Sequence, residues 1–206
     1  MKPKPVIAKK TRSLEKSRKQ LLEATFLEVF SKGFQGVSID EILKKTALTK
    51  GALYHQFPTK LDLGYALVEE VITPMILDRW ITPLEDYENP VEGILYQLQR
   101  NIGDARPEDL RLGCPLNNLV QEMSPLDKGF RQRLQAALNL WVDQMETQLK
   151  RAKKAGHIRS EVNVRDVALF VVMAHEGFYG IIKGFEDPAL FRPLFKSLRS
   201  YFSSLS

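Results

Sequence analysis

Cys114, His55, His157 and His175 are the side chains of this 206-residue chain best suited to nucleophilic or metal chemistry, and their spacing argues against most of it. One cysteine cannot close an internal disulfide or by itself build a metal site, which agrees with a reducing compartment. His175 is followed by Glu176, as in the HExxH zinc motif, but Tyr179 stands where the second histidine would fall. The chain has no Gly-rich phosphate loop and no nucleophile elbow, so a catalytic Cys114 would need the fold to bring it His157 or His175. Gly113 and Pro115, its neighbours, offer no positive charge to stabilise a thiolate, and a buried, inert thiol is the favoured reading.

Recognition chemistry is better represented, in the stretch SIDEILKKTALTKGALYHQFPTKLDL from Ser38 to Leu63. Ser38 and Glu41 form a capping box, and Ile39, Ile42 and Leu43 supply an apolar face behind it. Thr49 caps a second short helix with Lys50 and Gly51 at its amino end, and Pro58, Thr59 and Asp62 open a third. Two short helices joined by a tight turn make a helix-turn-helix. Thr49, Lys50, Tyr54 and His55 fall on its exposed side, within reach of base edges or phosphates in a major groove. Gly51 lets the backbone approach closely, and Ser38 and Lys60 are phosphate candidates at helix starts. Leu53 and Phe57 read as core, because a three-helix unit must bury something.

Charge is divided accordingly. Residues 1–60 hold thirteen Lys or Arg against five Asp or Glu, while the remainder is mildly acidic, so the net +5 is concentrated beside the helix-turn-helix. A basic module on an acidic body suits a polyanion, since phosphate contacts release counterions. The basic amino terminus lacks the apolar segment of a secretory signal, and no uninterrupted apolar run reaches membrane-span length, so the expectation is a cytoplasmic chain without a membrane partner.

The elements that must position these residues all read as helices, spanning residues 14–32, 38–45, 49–55, 59–80, 91–103, 115–123, 126–155, 163–184 and 187–203. Pro74 should kink the fourth, or restart it with Thr73 as cap. Segments 83–90 and 104–112 read as loops. The long helix 126–155 lines up Phe130, Leu134, Leu138, Trp141, Met145, Leu149 and Ala152 on one stripe. The last two helices are apolar over arcs too wide for one core face, and pairing them across a two-fold axis as a four-helix bundle would hide the excess. The expected fold is all-α, with a basic arm at 1–13, a helix-turn-helix domain at 14–60 and a helical ligand-binding and dimerisation domain at 61–206.

Residues 17–65 resemble the DNA-binding domain of TetR-type transcriptional regulators, through GFQGVSIDEI, LTKGALYHQF and the PTK that opens the fourth helix. The resemblance implies a homodimer that binds double-stranded DNA at a palindromic operator, and a C-terminal domain whose small-molecule effector changes DNA affinity, most often releasing a repressor. It implies no catalytic cofactor. One departure is Ala47, where the family usually has a glycine; a left-handed backbone there would cost a Cβ-bearing residue about 1 kcal/mol. Candidate effector contacts are Met75, Trp80, Cys114, Asn117, Asn118, Glu122, Trp141, Met145, His175 and Tyr179, which combine bulky apolar surface with a few polar groups. Plain core packing competes for each of them. A non-specific architectural DNA binder and a cysteine-dependent enzyme remain as alternatives at this point.

Overall fold

The computed structural model describes the backbone of residues 6–206 and the side chains of residues 14–206. Among the described residues every regular element is helical. The first, α1 (Val6–Lys32), begins upstream of the expected start at 14, so the expected basic arm is partly helix, and its residues 1–5 lie outside the described residues. Next come α2 (Ile39–Lys44) and α3 (Lys50–Gln56), with Ser38 and Thr49 as their caps. Leu21, Ile42, Leu53 and Phe57 are almost wholly buried, so Leu53 and Phe57 are the core of the three-helix head.

The turn between α2 and α3 contains no left-handed residue at Ala47; Glu186 is the one non-glycine with positive φ among the described residues. Thr46 does the turning. Its hydroxyl donates to the Leu43 carbonyl at 3.1 Å and accepts the Leu48 N–H at 3.2 Å, so a side chain satisfies the backbone that would otherwise need special geometry.

Helix α4 (Lys60–Leu67) passes through a π turn (Val68–Ile72) into α5 (Thr73–Trp80). Pro74 explains the widening, since it has no N–H and its ring would strike the carbonyl one turn back. Thr73 does not cap α5 as expected. Its N–H and its hydroxyl both reach back to the Val68 carbonyl, the hydroxyl at 2.8 Å, and so bridge the wide turn.

A 3-10 turn (Thr82–Asp86) leads to α6 (Pro90–Leu98), which ends in a second π turn (Gln99–Gly103). The expected loop 104–112 contains the single turn α7 (Pro107–Leu110), and α8 (Pro115–Met123) follows. The long helix α9 (Lys128–Lys154) buries its predicted stripe except Leu138, whose place inside is taken by Ala137. It packs against α10 (Val164–Phe185), and α11 (Phe191–Ser203) closes the body.

The excess apolar surface expected of the last two helices sits mainly on one of them. Helix α11 turns Phe191, Phe195, Leu198 and Phe202 inward. Helix α10 leaves Leu169, Met173, Ile181 and Phe185 exposed, beside Gly177, Gly180 and Gly184, where an added Cβ would meet nothing. By length and composition α10 is long and apolar enough to cross a membrane, although Arg165, Asp166, His175, Glu176 and Lys183 interrupt its apolar run. Its Val164, Val167, Val171, Phe178 and Ile182 are buried in the body, as in a core helix with one uncovered face.

Candidate nucleic-acid interface and effector cavity

Ser38 and Glu41 satisfy each other at the start of α2: the Glu41 N–H donates to the Ser38 hydroxyl oxygen at 3.2 Å, and the Ser38 N–H to the Glu41 carboxylate at 2.8 Å. The Ser38 N–H, the Lys32 ammonium and the Ser38 hydroxyl together hold the Glu41 carboxyl down to about 2. Ser38 is therefore engaged in capping as well as exposed. On α3, the Thr49 hydroxyl accepts the Ala52 N–H at 3.2 Å. Thr49, Lys50, Gly51, Tyr54 and His55 are all exposed on or at the start of the same short helix, and Lys50 makes an exposed ion pair with Asp40, at 3.3 Å. Among the described residues a Cβ at Gly51 would meet only the Thr49 hydroxyl, at 3.8 Å, so no packing among them requires glycine there.

Lys60 differs from the others. Its ammonium donates to the Phe34 carbonyl at 2.7 Å and lies over the Phe34 ring, and partial burial lowers its pKa. It closes the turn after α1, which Gly33 makes in a left-handed conformation, φ 79°.

That turn is also held from the body. Glu122 on α8 accepts the N–H groups of Phe34 and Gln35, each at 2.8 Å, and a Cβ on Gly33 would stand 3.0 Å from its carboxylate oxygens. Phe34 packs edge-on to Phe130 of α9, with ring centroids 4.7 Å apart. Glu122, a candidate effector contact by sequence, thus clasps the head to the body.

Inside the body, a cavity of about 550 Å³ lies among α1, α5, the second π turn, α7 and α10. Met75, Trp80, Cys114, His175 and Tyr179 line it, five of the ten residues expected. Sequence reasoning missed Phe26 and Phe30 of α1 and the two cations Arg79 and Arg100. Phe26 and Phe30, four residues apart, share one face of α1, but nothing local states what that face meets.

The other five stand elsewhere. Trp141 and Met145 belong to the core behind the cavity, where they border a void of only about 10 Å³. Asn118 donates to the Leu112 carbonyl at 2.8 Å and accepts from Lys183 at 3.1 Å, and so ties a loop to α10. Asn117 is half-buried on α8 beside Gln121, away from the cavity wall. Glu122 is the clasp just described. A larger concavity of about 740 Å³ between α1 and α5 is an open groove whose wall includes the Arg18–Glu70 ion pair, and it encloses a ligand less well than the cavity.

At the cavity wall, His175 sits among three rings, with centroids 4.3 Å from Trp80, 4.7 Å from Trp141 and 4.9 Å from Tyr179. Burial lowers its pKa, partly opposed by Glu176, and so favours the neutral imidazole. Burial and then the nearby Glu176 charge push the Cys114 thiol well above its usual range, and burial pushes Tyr179 up to about 12. Burial at this place thus favours the protonated thiol over the reactive thiolate.

The family model described as bacterial regulatory proteins, tetR family, matches residues 21–67, and that described as the tetracyclin repressor-like C-terminal domain matches residues 96–198. The chain belongs to the TetR family of transcriptional regulators. TetR-family proteins are typically ligand-responsive repressors, with a DNA-binding head and a C-terminal domain that typically dimerises, and they are not enzymes. Among curated relatives, the transcriptional regulator AcuR of Cereibacter sphaeroides is 30% identical over 152 residues, 70% of this chain and 66% of that protein. A regulator encoded in the lacX 3' region of Lactococcus lactis is 30% identical over 123 residues, 60% of this chain and 63% of that protein. The matches thus span about two thirds of these relatives' length or slightly less. A TetR-family regulator from Cytophaga hutchinsonii shares the fold, with a TM-score of 0.85 at 21% identity, covering 94% of this chain and 96% of that one.

Proposed function

We propose that this TetR-family chain is a cytoplasmic repressor that binds a palindromic operator as a homodimer and is released by a small molecule held in the 550 Å³ cavity. Thr49, Lys50, Gly51, Tyr54 and His55 enter the major groove, with Ser38 and Lys60 as flanking phosphate contacts, Lys60 through the protons its Phe34 bond leaves free. The observation that carries this reading is Gly51. A helical glycine is unfavourable by roughly 1 kcal/mol relative to alanine, and its missing side chain serves no packing among the described residues, so the open space suits an external surface.

The dimer forms through the last two helices, with α10 contributing the uncovered face, where Leu169, Met173 and Ile181 meet their symmetry mates and the glycines permit close approach. The working division is an arm at 1–13, a reading head at 14–60 and an effector and dimer domain at 61–206. Three connections link cavity to head: α1, which lines the cavity with Phe26 and Phe30 and belongs to the head, α5 through the π turn into α4, and α8 from Cys114 to Glu122. Ligand contacts at α5 or Cys114 shift these helices, and by linkage an effector that weakens DNA binding itself binds less tightly to the DNA complex.

Selection of bound DNA from a random pool, followed by a screen of small molecules for release of the selected site, tests the whole reading. A specificity ratio near one against random DNA would mean an architectural binder instead. Sedimentation as a monomer at micromolar concentration would rule out the dimer. An intact ligand response in Pro74→Ala would remove α5 as the transmitting element.

A further inference from the structure

Cys114, at the start of α8, and His175 and Glu176, on α10, are distant in sequence but adjacent in space. One carboxylate oxygen of Glu176 lies 3.4 Å from the Cys114 sulfur and 3.1 Å from Nδ1 of His175, and donor atoms of the three residues lie within 4.8 Å of one another. Metal–ligand bonds of about 2.0–2.3 Å place neighbouring donors roughly 3–4 Å apart, so small side-chain adjustments suffice to close them on one ion. We infer that Cys114, His175 and Glu176 form a binding site for one divalent transition-metal ion of the Zn²⁺ class.

The donor set is more than a self-contained hydrogen-bond cluster. One Glu176 oxygen serves both neighbours, while its Oε2 and Nε2 of His175 are buried without any partner. Among the described residues no lysine or arginine pairs with Glu176, so its charge is left without a bonded cation in a poorly solvated place. A divalent ion resolves this. The Cys114 S–H proton leaves to solvent as the sulfur–metal bond forms; thiolate and carboxylate then carry two negative charges against the ion's two positive ones, and His175 ligates as neutral imidazole. Sulfur, nitrogen and oxygen together suit an ion of borderline softness, not Mg²⁺ or Ca²⁺. Cys114 and His175 line the cavity, so the remaining coordination position opens into it, toward water or a donor atom of an effector.

The test uses the full chain, washed with chelator and held reduced by a phosphine, and it needs no DNA. Titration with Co²⁺ should show one ion per chain, with a thiolate-to-cobalt charge-transfer absorption that Zn²⁺ then displaces. Cys114→Ser should abolish that absorption, and Glu176→Gln should weaken Zn²⁺ binding by about tenfold or more, taking loss of an outer-shell partner as the lower bound. Circular dichroism identifies folded variants, and near-isosteric Cys114→Ser preserves the core shape. Absence of stoichiometric binding at micromolar metal, or a charge-transfer band that survives Cys114→Ser, would overturn the site. Either result leaves the operator and dimer reading standing, because that reading is measured on DNA and by sedimentation.

Discussion

The outward face of α3 and the wall of the cavity are assembled in opposite ways. On α3, Lys50, Gly51, Tyr54 and His55 sit exposed beside a separate set, Leu53 and Phe57, that does the packing. At the cavity, Trp80, Cys114, His175 and Tyr179 are buried, so the residues that would meet a ligand are the same ones that hold the body together. A reading surface of the first kind can change its specificity with little effect on folding. A pocket of the second kind couples occupancy to the packing of the helices around it, which is what a signal to the head requires.

The largest effect should come from the cavity side. Trp80→Ala, which removes a buried ring of the cavity wall packed edge-on to His175, should destabilise the fold by about 3–5 kcal/mol in urea unfolding. A loss below about 1 kcal/mol would show that the wall is not structural and break the contrast. On α3 the signs should separate. Gly51→Ala should raise stability by up to about 1 kcal/mol while weakening operator binding, and Tyr54→Ala should weaken binding about tenfold or more with an unchanged melting temperature. Lys50→Ala should reduce the salt slope of binding by about one; an unchanged slope would exclude a Lys50 phosphate contact.

Glu122 lies between the two regions, and its substitution sharpens the comparison. Glu122→Gln leaves one of its two accepted N–H bonds without an oxygen, at an expected cost of about 1 kcal/mol, with faster hydrogen exchange at Phe34 and Gln35. Unchanged exchange there would mean that the clasp does not order the head.

The smallest effect is the pH response of the reading head. Glu41 has a folded pKa of about 2 against an ordinary 4.5. Its stabilising contribution is therefore complete above 4.5 and lost as pH falls toward 2. Melting curves across that interval should flatten in Glu41→Gln, and identical acid limbs in the two proteins would remove the capping box from the account.

The head was legible because its signals are local. Caps at Ser38, Thr49 and Thr59 act within three residues of themselves, and the apolar spacing of Ile42, Leu53 and Phe57 states which faces turn inward. The Thr46 turn is less legible, because the departure from glycine at Ala47 points to strain, whereas the threonine hydroxyl next to it bridges the turn over the same few residues. The π turn before Pro74 was half legible: proline dictates a disturbance, but whether the helix breaks or widens depends on packing around it.

By itself, then, the sequence determined the all-helical class, the helix-turn-helix and its exposed face, and the charge split that suits DNA. Periodicity and capping are short-range, so composition and spacing suffice for them. Only the tertiary structure decided that Glu122 holds the head, that α10 rather than α11 keeps an open apolar face, and that Cys114 meets His175 and Glu176. Those outcomes depend on which helices pack together and at what rotation, a choice made by the whole core at once and written in no single segment.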